Sequence, residues 1–431
     1  MINRNKILHW SKVGLLLLPI VSFLIFITPS KAHEDATFWA TWCIKIFENG
    51  FGKIYHWKVK IRDQESGINY PPLYFYILWM YNKLQGSRDS IVSNIYMLKY
   101  VTLLFEVGST LILFYLLDKK YDRLYKSLFF SLLYLLNVAV LYNSLIWGQV
   151  DGIMTFFVFG AIISAYRKKV LISVILFILA LNMKLQAVVF TPLWIGILLP
   201  IIIERKWRSV VPIVLCGILI QTLILFPFAK NGDLLKILSV LKATGGQYPV
   251  VSMNAYNVWY LVMKGNLMKV NDSTTYLGVT YKNWGLMMFF VSSSFALFYL
   301  VKANYDTIIK GQVAMVSLKI ILISGGMIPL LFFFFNTEMH ERYTHPSYIF
   351  IAAYSLLYGR LYIYMIGSLA YYLNLEEVLR FFKTDNYHAS LYTPQIISCL
   401  YLVTIILLFY ELYKDRLEIG TAASERNRFS I

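Results

Sequence analysis

The sequence predicts an all-α, polytopic membrane protein, and three observations predict it. Of its 431 residues, 58% are hydrophobic and only 15% charged, against roughly 45–50% and about 25% in soluble domains; the mean hydropathy is +0.60. Apolar runs of near-spanning length recur along the whole chain. The Lys and Arg residues behind a net charge of +17 fall in short clusters between those runs. Basic clusters so placed set membrane orientation, whereas a nucleic-acid-binding face would gather them on one surface, so nucleic acid is set aside as a partner. An aromatic share of 17% suits interfacial belts and a groove for lipid or sugar. Cys43, Cys216 and Cys399 lie far apart, with neither metal spacing nor a disulfide framework.

The first run, Val13 to Ile27, follows Arg4, Lys6 and Lys12. Ser30-Lys31-Ala32 loosely resembles a signal-peptide cleavage site. The run with its flanks is long enough to span, and more spans follow, so an uncleaved first helix is expected. Runs near residues 13–30, 95–117, 127–146, 152–166, 170–183 and 186–203 come first; others lie near 209–228, 284–301, 313–335, 344–359, 361–374 and 392–413. Together they give about twelve transmembrane helices, several of them short of the ~20 residues of a full span.

The apolar stretch Pro71–Leu84 is placed along the outer interface for a reason of charge. With the amino terminus cytoplasmic, the inner segments then hold Lys119, Lys120, Arg123, Lys126, Arg167, Lys168, Lys169, Arg205, Lys206 and Arg208. Lys302, Lys310, Arg360, Lys414, Arg416, Arg426 and Arg428 join them, while the short outer loops hold little beyond Lys184 and Arg342. Counting Pro71–Leu84 as a span would put the Lys119–Lys126 cluster outside, against the positive-inside rule. The expected organisation is one membrane domain over residues 1–413. Its outer loops at 31–94, 229–283 and 375–391 carry short interfacial helices, and residues 414–431 form a cytoplasmic tail. No internal repeat of the secondary-transporter kind is visible.

Polar clusters break the apolar sequence at a few places, nearly all on the outer side. His33-Glu34-Asp35 precedes an amphipathic stretch with Phe38, Trp39, Trp42, Ile46 and Phe47 toward one face. Asp35 reads either as a helix N-cap or as a carboxylate that takes a proton from a substrate hydroxyl. Asn69-Tyr70-Pro71-Pro72-Leu73-Tyr74 is a rigid corner, compatible with the wall of a groove. Trp147-Gly148-Gln149-Val150-Asp151 sets two donor-bearing side chains and a carboxylate at an outer boundary, where Asp151 caps the next helix or serves a site. In Asn182-Met183-Lys184-Leu185-Gln186, Lys184 either snorkels to the interface or meets a phosphate. Glu338-Met339-His340-Glu341-Arg342-Tyr343 packs four ionisable groups between two spans, which is costly near lipid and marks a functional candidate. A Glu341–Arg342 salt bridge is the plainer alternative. His340 lacks the i,i+4 His partner of a zinc helix. Glu106 and Lys99, inside the second span, are expected to serve helix packing.

Together these pieces resemble the GT-C superfamily of integral-membrane glycosyltransferases, and within it the bacterial relatives of the second mannosyltransferase of GPI-anchor synthesis. The matching residues are Asp35 with Trp39-Ala40 and Gly50, then the Asn69–Tyr74 and Trp147–Asp151 segments, and then Lys184 and Gln186. Ser252-Met253-Asn254-Ala255-Tyr256-Asn257-Val258-Trp259 and Met339–Tyr343 complete an ordered match over most of the chain. After Arg342-Tyr343 this chain reads Thr344-His345-Pro346, where the relatives more often carry apolar residues before the proline.

The resemblance implies inverting transfer of a hexose, mannose in the relatives, from a polyprenyl-phosphate-linked monosaccharide. The acceptor would be a glycolipid, a polysaccharide or a protein, at the periplasmic face of a bacterial inner membrane. Asp35 maps to the catalytic base, with Glu34 beside it as the other carboxylate. Cations placed where the leaving phosphate gains charge lower the barrier, and Arg342, Lys184 and His340 are the candidates. Gln149, Asp151, Asn254 and Asn257 are expected to hydrogen-bond the sugar or position the base. Tyr70 and Trp259 are expected to stack on the sugar or the prenyl chain. Gln186, Glu341 and Tyr343 complete the sugar and acceptor pocket. A monophosphate donor demands no cofactor, and a divalent cation near Asp35 and Asp151 stays open. Two other classes fit the same outline. A flippase or transporter of lipid-linked saccharides would spread polar groups through the membrane depth, and an oligosaccharide ligase or polymerase would favour more outer arginines.

Overall fold

The computed structural model describes residues 4–31, 35–61, 64–204, 207–230, 232–243, 246, 248–311, 313–383 and 393–414. His33, Glu34 and all but the first residue of the expected tail lie outside them. The described chain is helical nearly throughout. Helix α1 (Arg4–Ile27) is followed by three shorter helices, α2 (Asp35–Asn49), α3 (Pro72–Gln85) and α4 (Arg88–Ser93). Next come α5 (Leu98–Tyr121), α6 (Leu124–Leu135) and α7 (Val138–Leu141), which widens into a π-helical turn, Tyr142–Trp147. Helices α8 (Asp151–Tyr166) and α9 (Val170–Met183) lead to a 3₁₀ segment, Leu185–Phe190, that runs into α10 (Thr191–Glu204). After α11 (Trp207–Ala229) the short α12 (Leu234–Ala243) and α13 (Val258–Val262) lie in a long loop. The chain ends with α14 (Tyr281–Ala296), α15 (Phe298–Lys310), α16 (Leu318–Phe335), α17 (His345–Tyr358), α18 (Leu361–Leu379) and α19 (Pro394–Tyr413). Two small antiparallel hairpins, Lys58–Ile61 with Gln64–Gly67 and Thr275–Tyr276 with Val279–Thr280, complete it.

Six of the described helical stretches are long and apolar enough to cross a bilayer: Ile7–Ile27, Ile95–Tyr121, Leu185–Glu204, Val210–Ala229, Leu318–Phe335 and Pro394–Tyr413. Two bent pairs, α6 with Val138–Trp147 at 50° and α14 with α15 at 62°, raise the number to eight if each is one crossing. The sequence reading expects twelve, and the difference is one of length. Helices α8 and α9 have 16 and 14 residues, about 24 and 21 Å of helix, against a hydrocarbon core of ~30 Å. Helix α17 has 14 residues, and α18 carries Glu376 and Glu377 near its end. Helix α3, also 14 residues, is likewise below spanning length.

The core runs through α16 and α17, whose residues are buried nearly end to end. Gly325 and Gly326 permit their close approach: a β-carbon at either would lie 2.5 Å from the Phe350 ring or 2.7 Å from the Ile351 side chain. Helix α1 is peripheral. Val13 and Leu17 pack on Phe114 and Leu128, and Leu24 packs on Leu103, Leu135 and Leu145, while Leu15, Leu18, Phe23 and Phe26 point outward. Lys99 fastens its end, donating from Nζ to the carbonyls of Pro29 at 2.9 Å and Lys31 at 3.2 Å. Helix α11 likewise exposes Val214, Leu215, Ile218 and Leu219, as a lipid-facing surface does.

Many tyrosines go inward rather than to a belt. Tyr74, Tyr134, Tyr142, Tyr348, Tyr354, Tyr371 and Tyr401 are fully buried. Several spend the hydroxyl on a partner the core supplies, such as Tyr348 on the Gly367 carbonyl at 2.7 Å and Tyr354 on Glu411 at 2.6 Å. On α2, Trp39, Trp42 and Ile46 are buried, but Phe47 is 45% exposed and leaves the expected face.

Candidate functional site

Asp35 opens α2 and is half-buried. Its Oδ2 accepts the Trp147 indole N–H at 3.1 Å and the Gln149 amide at 2.7 Å. Both donors come from one turn, because the N–H groups of Gly148 and Gln149 fold back onto the Asn143 carbonyl at 3.0 and 2.9 Å. Two residues on, Asp151 is the first residue of α8 and has no solvent exposure. It does not cap that helix. The N-cap position is Val150, with no side-chain bond, and the Asp151 carboxylate pairs instead with Lys184. Lys184 sits where α9 breaks into the 3₁₀ segment, so its backbone is extended and its ammonium turns inward rather than out to the interface.

The second cation, Arg342, donates from Nη1 to Glu341 Oε1 at 3.0 Å. Its guanidinium lies 5.8 Å from the ring centres of both Trp147 and Tyr343. The Lys184 ammonium lies 5.0 Å from the Tyr343 ring, and Gln186 holds that residue by donating to the Tyr343 carbonyl at 2.7 Å. Aromatic faces thus offset part of the cost of burying both charges. Burial pulls the Arg342 pKa down, but Glu341, Tyr343, Asp35 and Asp151 outweigh it, and the group stays charged. Burial pushes the Glu341 carboxyl up against the pull of Arg342, and it lowers Lys184 against the pull of Asp151. His340, edge-on to Tyr248 and Tyr343 at 5.3 and 5.1 Å, is pushed well below the usual range by burial, then by Arg342 and Lys184. The ring is thus held neutral, an N–H donor rather than a third cation.

Some of these groups border a cavity of about 370 Å³. Its lining is partly polar, with Lys184, Gln186, His340, Arg342 and Tyr343, and partly apolar, with Leu185, Val188, Val189, Leu286 and Phe332. Tyr70 lines it as well, beneath the rings of Trp42 and Tyr74. Two buried polar atoms of its lining, Arg342 Nε and Gln186 Oε1, find no hydrogen-bond partner among the described residues, nor does Asp151 Oδ2 at the Lys184 ion pair.

Other expected residues support the site without lining the cavity. Asn257 caps α13 and donates to the carbonyls of Phe333 and Asn336 at 3.1 and 3.3 Å. The Trp259 indole donates to the Phe335 carbonyl at 3.0 Å. Asn254, with φ of +64°, bridges by its backbone to His340 and offers its carbonyl to Asn374 at 2.8 Å. All three tie the 252–259 segment to the end of α16 and to the loop that carries His340. Asp35, Gln149, Asp151 and Glu341 are likewise outside the cavity's lining, although Asp35 keeps partial exposure.

Sequence reasoning missed Tyr248 and Lys282 as lining residues, and it marked Glu338, which also lines the cavity, only as a member of the Glu338–Tyr343 cluster. Glu338 joins Lys282 at 2.8 Å and takes the Gly246 N–H at 2.9 Å. The only signal for Lys282 was its position just before an apolar run. Among the described residues no three His, Cys, Asp or Glu side chains gather as a metal set would. No protein-family pattern matches the chain, and no curated protein matches it either.

Proposed function

We propose that the chain is an inverting glycosyltransferase that moves a hexose from a polyprenyl-phosphate donor to an acceptor hydroxyl, with Asp35 as general base. The observation that carries this reading is the unmet hydrogen-bonding capacity around the cavity. A buried guanidinium N–H of the lining asks for an acceptor, and a buried amide oxygen of the lining asks for a donor. A phosphorylated sugar supplies an anionic oxygen for the first and a hydroxyl for the second, while the apolar lining suits the prenyl chain.

In this scheme Asp35 takes the acceptor's hydroxyl proton as the oxygen attacks the anomeric carbon. The bond from that carbon to the phosphate oxygen breaks on the opposite face, and its electron pair leaves with polyprenyl phosphate. Arg342 and Lys184 offset the charge that grows on the phosphate, and neutral His340 adds an N–H. Trp147 and Gln149 hold the carboxylate in one orientation by donating to its Oδ2. The scheme takes the charge pattern as twelve crossings with both termini cytoplasmic, and sets the site on the periplasmic face of a bacterial inner membrane.

The test is transfer of labelled hexose from synthetic polyprenyl-phosphate donors to a lipid extract, in liposomes. Wild-type activity with Asp35→Asn at least about a hundredfold slower supports the reading, since a general base contributes on the order of 10²–10⁴. Full activity in Asp35→Asn would remove the base assignment. Movement of a lipid-linked sugar across the bilayer without transfer would hand the site to a flippase.

A further inference from the structure

Beneath the Trp147–Asp151 turn lies a second ionisable cluster that the proposed transfer does not use. Glu106, midway along α5, and His345, the first residue of α17, have no solvent exposure. Glu106 Oε2 accepts the Tyr134 hydroxyl at 2.8 Å, and Oε1 accepts the Ser144 hydroxyl at 2.7 Å and faces His345 Nε2 at 3.0 Å. On the other side of the ring, His345 Nδ1 lies 3.2 Å from Asn143 Nδ2 and 3.2 Å from the Tyr371 hydroxyl. An amide nitrogen only donates, so Nδ1 accepts and Nε2 carries the hydrogen aimed at Glu106.

A buried pair of this kind is poor evidence of stability, because apolar residues of the same volume would cost less to bury. Its contacts concentrate on one short segment. Asn143 and Ser144 belong to the π-helical turn, and the Asn143 carbonyl holds the N–H groups of Gly148 and Gln149. Gly152 lies so close that a β-carbon there would come within 2.3 Å of Glu106 Oε1. One turn earlier on α5, the Thr102 hydroxyl donates to the Gln149 carbonyl at 3.3 Å.

We infer that Glu106 and His345 are a positioning dyad for the catalytic carboxylate: they lock the 143–149 turn and, through it, the Trp147 and Gln149 donors that orient Asp35. The inference rests on the glycosyltransferase reading. The dyad touches neither Asp35 nor the cavity, so its loss acts on the chemical step and leaves donor binding to the cavity residues.

The experiment uses the full chain in liposomes, with Glu106→Gln, His345→Leu and His345→Gln. Glu106→Gln and His345→Leu should lower kcat at least tenfold with the donor KM within about threefold. His345→Gln, whose amide can still donate to Glu106, should recover most of the loss. Hydrogen exchange at the Gly148 and Gln149 amides should rise about tenfold in Glu106→Gln while the α16 and α17 amides stay protected. Should His345→Leu not fold, Glu106→Gln and His345→Gln carry the comparison. Unchanged kcat in folded Glu106→Gln, a rise in KM at constant kcat, or faster exchange through the whole bundle would each overturn the dyad. If the wild-type chain transfers no sugar at all, the transferase reading fails, and exchange at those two amides then decides whether the dyad holds the turn.

Discussion

His340 shows how one side chain's surroundings decide its chemistry. Arg342, Lys184, Asp35, Asp151 and Glu341 act on it electrostatically or lie beside it, and the Tyr248 and Tyr343 rings box it in. The folded protein keeps it neutral at a pH where an exposed histidine, with a pKa of about 6.5, takes up a proton. The unfolded chain then binds the extra proton, so stability is lost as pH falls below about 6.5. His340→Gln removes this linkage and keeps a donor. The melting temperature of wild type should therefore fall more than that of the variant between about pH 7 and about pH 5; equal falls would mean an ordinary imidazole. At this scale the sequence shows charge well and partners badly. Asp35, Lys184 and Arg342 stand out because ionisable groups are conspicuous in apolar sequence. That Lys184 would meet Asp151 depends on where α9 breaks, which no periodicity reveals. Tyr248 and Lys282 sit in a long loop of ordinary polarity and carry no local mark.

Among the elements, the 252–259 segment is the one whose meaning changes most between sequence and structure. A motif match places Asn257 and Trp259 near a site but cannot tell a lining side chain from one buried beneath it. Both are spent on backbone carbonyls at the end of α16, where a transmembrane helix leaves acceptors unsatisfied. Asn257→Ala removes an N-cap and two carbonyl partners and should cost about 1–3 kcal/mol of stability. The kcat/KM of the folded fraction should stay within about twofold. A selective rise in donor KM at unchanged melting temperature would return Asn257 to the sugar site. The helices themselves were legible where charge bounds them: α5 ends on Lys119 and Lys120, and α8 and α9 are separated by Arg167, Lys168 and Lys169. The π-helical turn at Tyr142–Trp147 was not, because its extra residue per turn follows from tertiary packing.

For the whole molecule, the charge pattern makes a claim about sides that geometry alone does not. A phosphatase reporter active only outside the cytoplasm should be active when inserted at residue 246 and silent at residue 168. A fluorescent protein that matures only in the cytoplasm should light up after residue 414. The reverse pattern would put the cavity on the cytoplasmic side and remove the lipid-linked monosaccharide scheme as framed. The all-α membrane class was readable from hydropathy because lipid forces backbone pairing within each helix. The number of crossings was less legible, because α8 and α9 are apolar but shorter than a full span.

The peripheral seat of α1 bears on how the protein is made. Leu17 and Leu24 rest on Leu103, Phe114, Leu128, Leu135 and Leu145, the first of them synthesised 79 positions after Leu24 and the last 121. At roughly 5–20 residues per second, that interval is on the order of ten seconds. Throughout it α1 has no partner and must be held by lipid alone, which its apolar outer face permits. Docking onto α5 and α6 is thus a late step of membrane insertion, and a polar residue at Leu15 or Leu18 would act on the yield of inserted protein before it acted on the finished fold.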